Sequence, residues 1–248
     1  MNCYRHLLLN APSLPSVVNR VAWALVISSA SLVNSAWADG LTVDKIYDPY
    51  VQPLEHELEY RVIHDDTNNL QLHKFGYGQS MSDRWFTEAY LLVQDGEHRR
   101  SETEGFELES KWQLTEQGEY NNDWGVMVEL EREFSANIWE AATTLIVAHE
   151  WSNWWAVANG SVIYEWGSGS QEELETEFNG QIKYRYRRAF EPGWELFLAQ
   201  DTRATGPVVM GNVRMGGRKG FFWQVGAYAG LDNVTPDTTV KVNLEFEF

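Results

Sequence analysis

Cysteine and basic residues are scarce in this chain. It has one cysteine, Cys3, in 248 residues, and 19 Lys and Arg against 36 Asp and Glu, for a formal net charge of −17. Cys3 falls in a leader that we expect to be removed, so disulfides, thiol catalysis and cysteine-bound metal are excluded from the remainder. The acidic balance argues against a nucleic-acid partner, which needs a basic face.

Long hydrophobic runs are also missing beyond residue 38. No stretch there has the ~20 apolar residues that a membrane-spanning helix needs. The mean hydropathy of −0.41 points the same way. It does not exclude a membrane β-barrel, because a barrel strand turns only every second residue toward lipid.

The first 38 residues have the plan of a secretory signal peptide. Met1–Ala38 contains Arg5 and Arg20 and no acid, and its apolar run ends just before an Ala-Trp-Ala site at residues 36–38. We expect cleavage after Ala38, which leaves residues 39–248 as a single domain. Cys3 is not at the cleavage site, so no lipoprotein anchor is expected.

The last nine residues alternate strictly. One face carries Val240, Val242, Leu244, Phe246 and Phe248, and the other carries Lys, Asn and Glu. Such a strand suits an outer-membrane barrel, with lipid outside and a polar lumen inside. The aromatic end, Leu244, Phe246 and Phe248, resembles the terminal strand read by bacterial barrel-assembly machinery. The alternative is an edge strand of a secreted β-sandwich.

Alternating segments of about ten residues recur along the chain, separated by turn-forming residues. With the final strand the count is twelve, or ten if weak segments merge. The other segments are 54–64, 70–81, 85–93, 106–114, 124–134, 139–151, 154–166, 174–188, 194–200, 208–215 and 221–231. An even number suits a single-chain bacterial barrel. The prediction is an all-β, antiparallel, up-and-down transmembrane barrel.

Tryptophan is abundant, with 12 in the chain, and many lie at the ends of these segments. Amphipathic rings at both membrane interfaces produce this placement. It favours the barrel over a soluble sandwich. The expected location is the outer membrane of a Gram-negative bacterium.

The inward faces of the segments carry charges of both signs. The candidate pore-lining residues are Glu107, Glu109, Lys111, Glu129, Glu131, Glu133, Lys183, Arg185 and Arg187. Facing acidic and basic walls suit a narrow channel that prefers cations, because acids outnumber bases. The alternative is a closed lumen filled by ion pairs, since twelve strands fall between small barrels filled by side chains and large open porins.

The residues before the first strand, Lys45–Pro53, are predicted to be a plain lead-in. The alternatives are a periplasmic strap or a place in the barrel mouth.

Catalytic and metal sites are not indicated. His149 and Ser152 superficially match an outer-membrane hydrolase pattern, but a spacing of three puts them on opposite faces of a strand. His149 is instead predicted at the interface beside Trp151. The histidines show no HxH or HxxxH pair, and no cofactor is expected.

The leader, the alternating strands and the aromatic terminus together resemble the small bacterial outer-membrane β-barrels. Within these, the strand count and short loops are similar to a channel-like group found with phenol-degradation (meta-pathway) genes. The resemblance implies passage of small solutes, aromatic ones among them, and contact with outer-membrane lipid and the assembly machinery. It carries no site residues.

Overall fold

A computed structural model describes residues 43–96, 99–168 and 172–248. These residues form twelve strands that close into an antiparallel barrel. The strands are β1 (His56–Asp65), β2 (Leu70–Ser82), β3 (Trp85–Gly96), β4 (Arg99–Gln113), β5 (Asp123–Glu133), β6 (Ile138–Trp151), β7 (Trp154–Gly167), β8 (Glu173–Tyr184), β9 (Glu191–Leu198), β10 (Arg203–Gly216), β11 (Lys219–Gly230) and β12 (Thr238–Glu247). The predicted barrel with twelve strands is confirmed, and the predicted signal peptide lies outside the described residues.

Each strand pairs with its neighbours in sequence, and the barrel closes between β1 and β12. In that closing pair Glu59 lies opposite Glu245, and Arg61 lies opposite Asn243. The ladder therefore brings side chains from the two ends of the barrel sequence onto one patch of the inner wall. Closure also removes the free strand edges that a membrane interior cannot satisfy.

The two faces of the wall differ as the alternation predicts. Leu58 is 51% exposed on the outside, whereas its neighbours Glu57 and Glu59 are buried. The same alternation of exposed and buried side chains runs along β8, where Phe178 is exposed and Asn179 and Gln181 are buried. An apolar exterior around a polar interior is the arrangement that lipid requires.

No helix in the described part of the chain is long and apolar enough to cross a membrane.

Aromatic side chains pair across neighbouring strands near the strand ends. The rings of Trp85 and Trp112 stack at 5.9 Å, and those of Trp139 and Trp166 stack at 6.3 Å. His149 stacks on Trp151 at 5.3 Å, as predicted for an interfacial pair. The two ends of the barrel thus each carry aromatic pairs, as interfacial girdles do.

Several expected boundaries are wrong, among them the start of β4 and the end of β8. β4 begins at Arg99 and not near Phe106, because the β3–β4 ladder continues past a register shift at Leu92. β8 ends at Tyr184 and not at Arg188, because its pairing with β9 stops at Lys183. Hydrogen bonding between neighbouring strands sets these ends, and a single-strand pattern does not contain it.

The terminal aromatic residues lie at the closing seam. The backbone N–H of Phe248 donates to the carbonyl of His56 at 2.9 Å, and the two rings stack at 5.7 Å. Phe246 lies opposite Leu58, and Leu244 lies opposite Tyr60. Their role as an assembly signal remains a prediction.

Residues 43–53 are not a plain lead-in, and that prediction is wrong. Tyr47 and Asn159 on β7 exchange two hydrogen bonds, and Tyr50 reaches Asp123 on β5. Val43 is 3% exposed. The stretch lies inside the barrel, and we call it the lumen segment.

Candidate functional site

The lumen segment is extended, as its prolines at 49 and 53 favour. An extended backbone without a strand partner must satisfy its polar groups by other means. Here the Tyr47 N–H donates to Asn159 Oδ1 at 2.7 Å, and Asn159 Nδ2 donates to the Tyr47 carbonyl at 2.9 Å. The Val51 N–H donates to Gln113 Oε1 at 2.8 Å. Side chains of the wall therefore hold the segment in place.

Asp44 of the segment meets a cluster of three cations from the wall. Its carboxylate bonds Arg61 on β1, and Lys74 Nζ on β2 donates to Asp44 Oδ2 at 2.6 Å. Lys241 Nζ on β12 donates to the Asp44 carbonyl at 2.7 Å. We call Arg61, Lys74 and Lys241 the basic node. Arg61 is fully buried, so its positive charge depends on the carboxylates that contact it, including that of Asp44.

Lys45, the next residue, meets the opposite charge. Its Nζ lies 2.5 Å from Glu59 Oε2, 2.9 Å from Glu245 Oε1 and 3.9 Å from Glu57 Oε1. We call Glu57, Glu59 and Glu245 the acidic pocket. The consecutive residues Asp44 and Lys45 therefore contact a basic and an acidic patch that adjoin each other at the β1–β12 seam.

The uncharged residues of the segment face an apolar part of the wall. Ile46 and Tyr47 pack against a buried cluster on β5, β6 and β7, which we call the apolar wall. It consists of Met127, Ile146, Ala148, Trp155 and Val157. Val43 joins a second buried cluster with Phe197, Ala204 and Tyr228. Apolar side chains facing a lumen are unusual in an open aqueous channel, and the segment covers these.

One glycine shows how closely the segment fits. A Cβ added at Gly125 on β5 would lie 3.0 Å from the Cα of Pro49. Such a contact is tighter than folded chains normally tolerate. The missing side chain at Gly125 leaves room for the segment against the wall.

Three residues of the predicted acidic wall lie close together. Carboxylate oxygens of Glu107, Glu129 and Glu131 lie within 4.8 Å of one another on β4 and β5. Lys74 Nζ donates to Glu107 Oε2 at 2.5 Å, and the Tyr47 hydroxyl donates to Glu109. The wall is therefore engaged both by the basic node and by the lumen segment.

Glu133 lies further toward one end of β5. It accepts a hydrogen bond from Ser135 Oγ at 2.9 Å and lines a small pocket with Glu131, Glu140 and Glu165. Four carboxylates around one pocket make this end of the lumen strongly acidic.

The predicted basic residues are more dispersed than the sequence suggested. Lys183 faces the lumen, pairs with Glu191 at 2.9 Å and lies 4.8 Å from the Trp155 ring centroid. Arg185 and Arg187 follow the end of β8, and Arg187 is exposed over Tyr186. Lys111 lies 3.7 Å from Asp48 of the segment. A continuous basic stretch from 183 to 187 is therefore not formed.

The ring nitrogen of His149 lies 2.6 Å from the Asn121 carbonyl oxygen, and Ser152 has a left-handed turn conformation with φ of 55°. Ser152 is thus placed by the β6–β7 turn, and His149 is engaged by the β4–β5 turn.

Sequence reasoning missed the basic node and Glu195. Glu195 is fully buried, bonds the Tyr228 hydroxyl and lies 3.1 Å from Lys241 Nζ. For Arg61 and Lys241 the available signal was inward charge on the first and last strands, combined with the fact that a closed barrel makes those strands neighbours.

A cavity of about 520 Å³ remains beside the segment. Lys45, Glu57 and Glu245 line it, together with Phe86 on β3. Gln117 in the β4–β5 turn also lines it, so the cavity extends to the barrel end where that turn lies. The acidic pocket is thus reached from the barrel end.

No protein-family model matches the chain, and no curated protein matches it. Solved structures do. The KdgM porin, in a complex with disordered oligogalacturonate, gives a TM-score of 0.55 at 12% identity, covering 77% of this chain and 99% of that chain. An outer membrane channel from Pseudomonas putida F1 gives 0.54 at 16%, covering 82% and 98%. The NanC porin gives 0.51 at 11%, covering 77% and 98%. The chain shares the fold of small outer-membrane channel barrels, as the sequence resemblance predicted.

Proposed function

We propose that this protein is a channel of the bacterial outer membrane that passes small solutes passively through an acidic lumen. The observation that carries the proposal is the twelve-stranded barrel with an apolar exterior and charged residues along its inner wall. The shared fold with porins supports it. Selectivity in such a lumen follows from its width and its charge.

The lumen segment sets the width in this conformation. It crosses between the basic node, the acidic pocket and the apolar wall, and a cavity of about 520 Å³ remains beside it. A narrow conductance through the space beside the segment is therefore expected. A wider one is expected when the segment leaves.

A closed-lumen barrel with a structural role in the envelope is the second candidate. The observation that favours it is the set of specific contacts on the segment, which reach β1, β2, β4, β7 and β12. A segment held at so many points could serve as a permanent plug.

Single-channel conductance separates the two. Residues 39–248 and a variant lacking residues 39–52 would be refolded into planar bilayers under a salt gradient. Folding would be checked by circular dichroism and by the heat-dependent shift in gel mobility. Discrete cation-preferring steps from the longer chain, with larger steps from the shorter one, are expected of a channel. If both chains are folded and inserted but silent, the structural role holds.

The transported solute is a further part of the proposal. The resemblance to a channel-like group found with phenol-degradation genes favours aromatic solutes. Liposome swelling with an aromatic acid and with a sugar of similar size would compare the two classes. Faster swelling with the sugar would contradict an aromatic preference.

A further inference from the structure

The acidic pocket is formed by barrel closure. Glu57 and Glu59 lie on β1, and Glu245 lies opposite Glu59 on β12. Their carboxylate oxygens come within 4.8 Å of one another. Glu57 and Glu59 are 7% and 4% exposed. While they are ionised, three carboxylates at this separation repel one another, and a cation between them offsets that repulsion.

The cation among these three carboxylates is an ammonium that comes from outside the barrel wall. Lys45 Nζ contacts all three carboxylates, yet Lys45 is carried by the lumen segment. Arg61 also bonds Glu59, with Nε to Oε1 at 2.8 Å, but it is shared with Asp44. Counted as ionised, the three carboxylates outnumber the two cations that contact them, Lys45 and the shared Arg61.

A second observation shows that Lys45 fits the pocket incompletely. Glu57 Oε1 is buried and has no hydrogen-bond partner among the described residues, although it faces Lys45 Nζ at 3.9 Å. Asn243 Oδ1 is also buried without a partner, and its amide donates to Glu245 Oε1 at 2.8 Å. Buried oxygens left unpaired are costly. Both belong to the hard oxygen donors that Ca²⁺ prefers.

We propose that the acidic pocket is a binding site for a divalent cation of the Ca²⁺ type, for which the Lys45 ammonium is the built-in competitor. Ca²⁺ accepts six to eight oxygens at about 2.3–2.6 Å in flexible geometry. Glu57, Glu59 and Glu245 supply the carboxylates, and the adjoining cavity supplies water. A double charge offsets the three carboxylates better than one ammonium. Binding displaces Lys45 from the pocket.

The displacement has a consequence for the segment, and this part rests on the proposed channel function. Without the Lys45 contacts, the segment keeps Asp44 on the basic node and Ile46 on the apolar wall but loses one of its charged anchors. Divalent cations are then expected to weaken docking and to favour the wider lumen.

Calcium binding tests the site directly. Isothermal titration of the refolded protein with CaCl₂ would compare the natural sequence, Lys45→Ala, and Lys45→Ala combined with Glu57→Gln and Glu245→Gln. We expect at least tenfold tighter binding on Lys45→Ala and loss of that binding in the triple variant. Lys219→Ala, which removes an exposed lysine at the start of β11, is the matched control and leaves the Ca²⁺ affinity unchanged. Equal affinity in Lys45→Ala and the natural sequence would overturn the role of Lys45 as the competitor, and Ca²⁺ binding that persists in the triple variant would overturn the site.

A variant that fails to refold does not end the test. Lys45→Met retains the length of the stem without its charge and serves if Lys45→Ala is unstable. On the natural Lys45 background, Glu57→Gln with Glu245→Gln is expected to abolish the weak Ca²⁺ binding. Retained binding in this variant also contradicts the assignment.

The effect on the segment is measured apart from conductance. A cysteine introduced as Val43→Cys is unique after leader removal, and it is buried while the segment is docked. Ca²⁺ is expected to speed its maleimide labelling, and Glu57→Gln with Glu245→Gln to cancel the effect. Binding with unchanged labelling would retain the site and overturn the displacement. Faster labelling of a protein that never conducts would overturn the channel function alone.

Discussion

Two parts of the barrel wall hold the lumen segment by different physics: the basic node with the acidic pocket, together called the charged wall, and the apolar wall. On β1, β2 and β12 the partners are a basic node and an acidic pocket, which meet Asp44 and Lys45. On β5, β6 and β7 the partners are buried apolar side chains, which meet Ile46 and Tyr47. Ion pairs fix position because a misplaced buried charge is costly. Apolar burial supplies attraction that depends little on exact alignment.

The two walls therefore have different roles in docking the lumen segment. The charged wall specifies which segment docks and in which register, whereas the apolar wall contributes non-specific affinity. This difference also predicts that the two walls lose docking free energy in different ways. Removing a single charge weakens docking on the charged wall, whereas docking on the apolar wall weakens with the contact area that a substitution removes. One assay measures both, because the maleimide labelling rate of the Val43→Cys protein reports the undocked population.

Loss of Asp44 is expected to have the largest effect. Asp44→Ala leaves Arg61 and Lys74 without their shared carboxylate, and Arg61 is fully buried. Removing one partner of a buried ion pair costs about 3–5 kcal/mol, and the partial exposure of Asp44 argues for the lower end, about 3 kcal/mol. A difference of that size corresponds to labelling about 100-fold faster.

Asp44→Asn is the matched control for shape. It retains the oxygen geometry and removes only the charge, so it should fall near Asp44→Ala. If Asp44→Asn labels at the unmodified rate, hydrogen bonding and not charge holds the segment on the basic node.

Loss of Ile46 is expected to have a smaller effect. Its side chain touches both buried apolar clusters but is itself only partly buried. Ile46→Ala therefore removes about 1–2 kcal/mol of apolar burial, which corresponds to labelling about tenfold faster. Raising the salt concentration should accelerate labelling of the unmodified segment and leave the increment due to Ile46 unchanged. An Ile46→Ala effect equal to that of Asp44→Ala would show that the charged wall is not dominant.

The strands were predictable because their signal is local. Period-two alternation around Leu58, Phe106 and Phe178 marks the lipid side of each strand without reference to any other strand. The acidic wall was found for the same reason, since Glu107 and Glu129 lie on consecutive strands.

The occupied lumen was not predictable in this way. The partners of Asp44 lie at residues 61, 74 and 241, and Glu245 meets Glu59 only when the barrel closes. A segment of eleven residues with two prolines reads as a connection. Val43 and Ile46 are apolar, and Asp44 and Lys45 between them are charged. The parts of the wall that match these four side chains are assembled from nine strands.

The fit of the segment to the apolar wall is tested at Gly125. Gly125→Ala places a Cβ about 3 Å from Pro49, and overpacking at such a contact costs about 1 kcal/mol, the low end of its range. Labelling should be about fivefold faster, because 1.4 kcal/mol corresponds to tenfold. In the chain lacking residues 39–52 the substitution should not alter barrel stability. Destabilisation of that shorter chain would mean that Gly125 serves the strand and not the segment.

The smallest expected change concerns the acidic wall when no segment contact is altered. Glu129→Lys with Glu131→Lys reverses two charges on β5 beside Glu107. Many acids remain along the lumen, so the reversal potential under a salt gradient should move only slightly toward anion preference. Asp66→Lys with Asp83→Lys, at exposed positions in the β1–β2 and β2–β3 turns, reverses the same number of charges and is the control for a change in net charge alone. A shift from the β5 pair that exceeds the shift from this control places Glu129 and Glu131 on the conducting path. Equal shifts would mean that Glu129 and Glu131 do not line the conducting path.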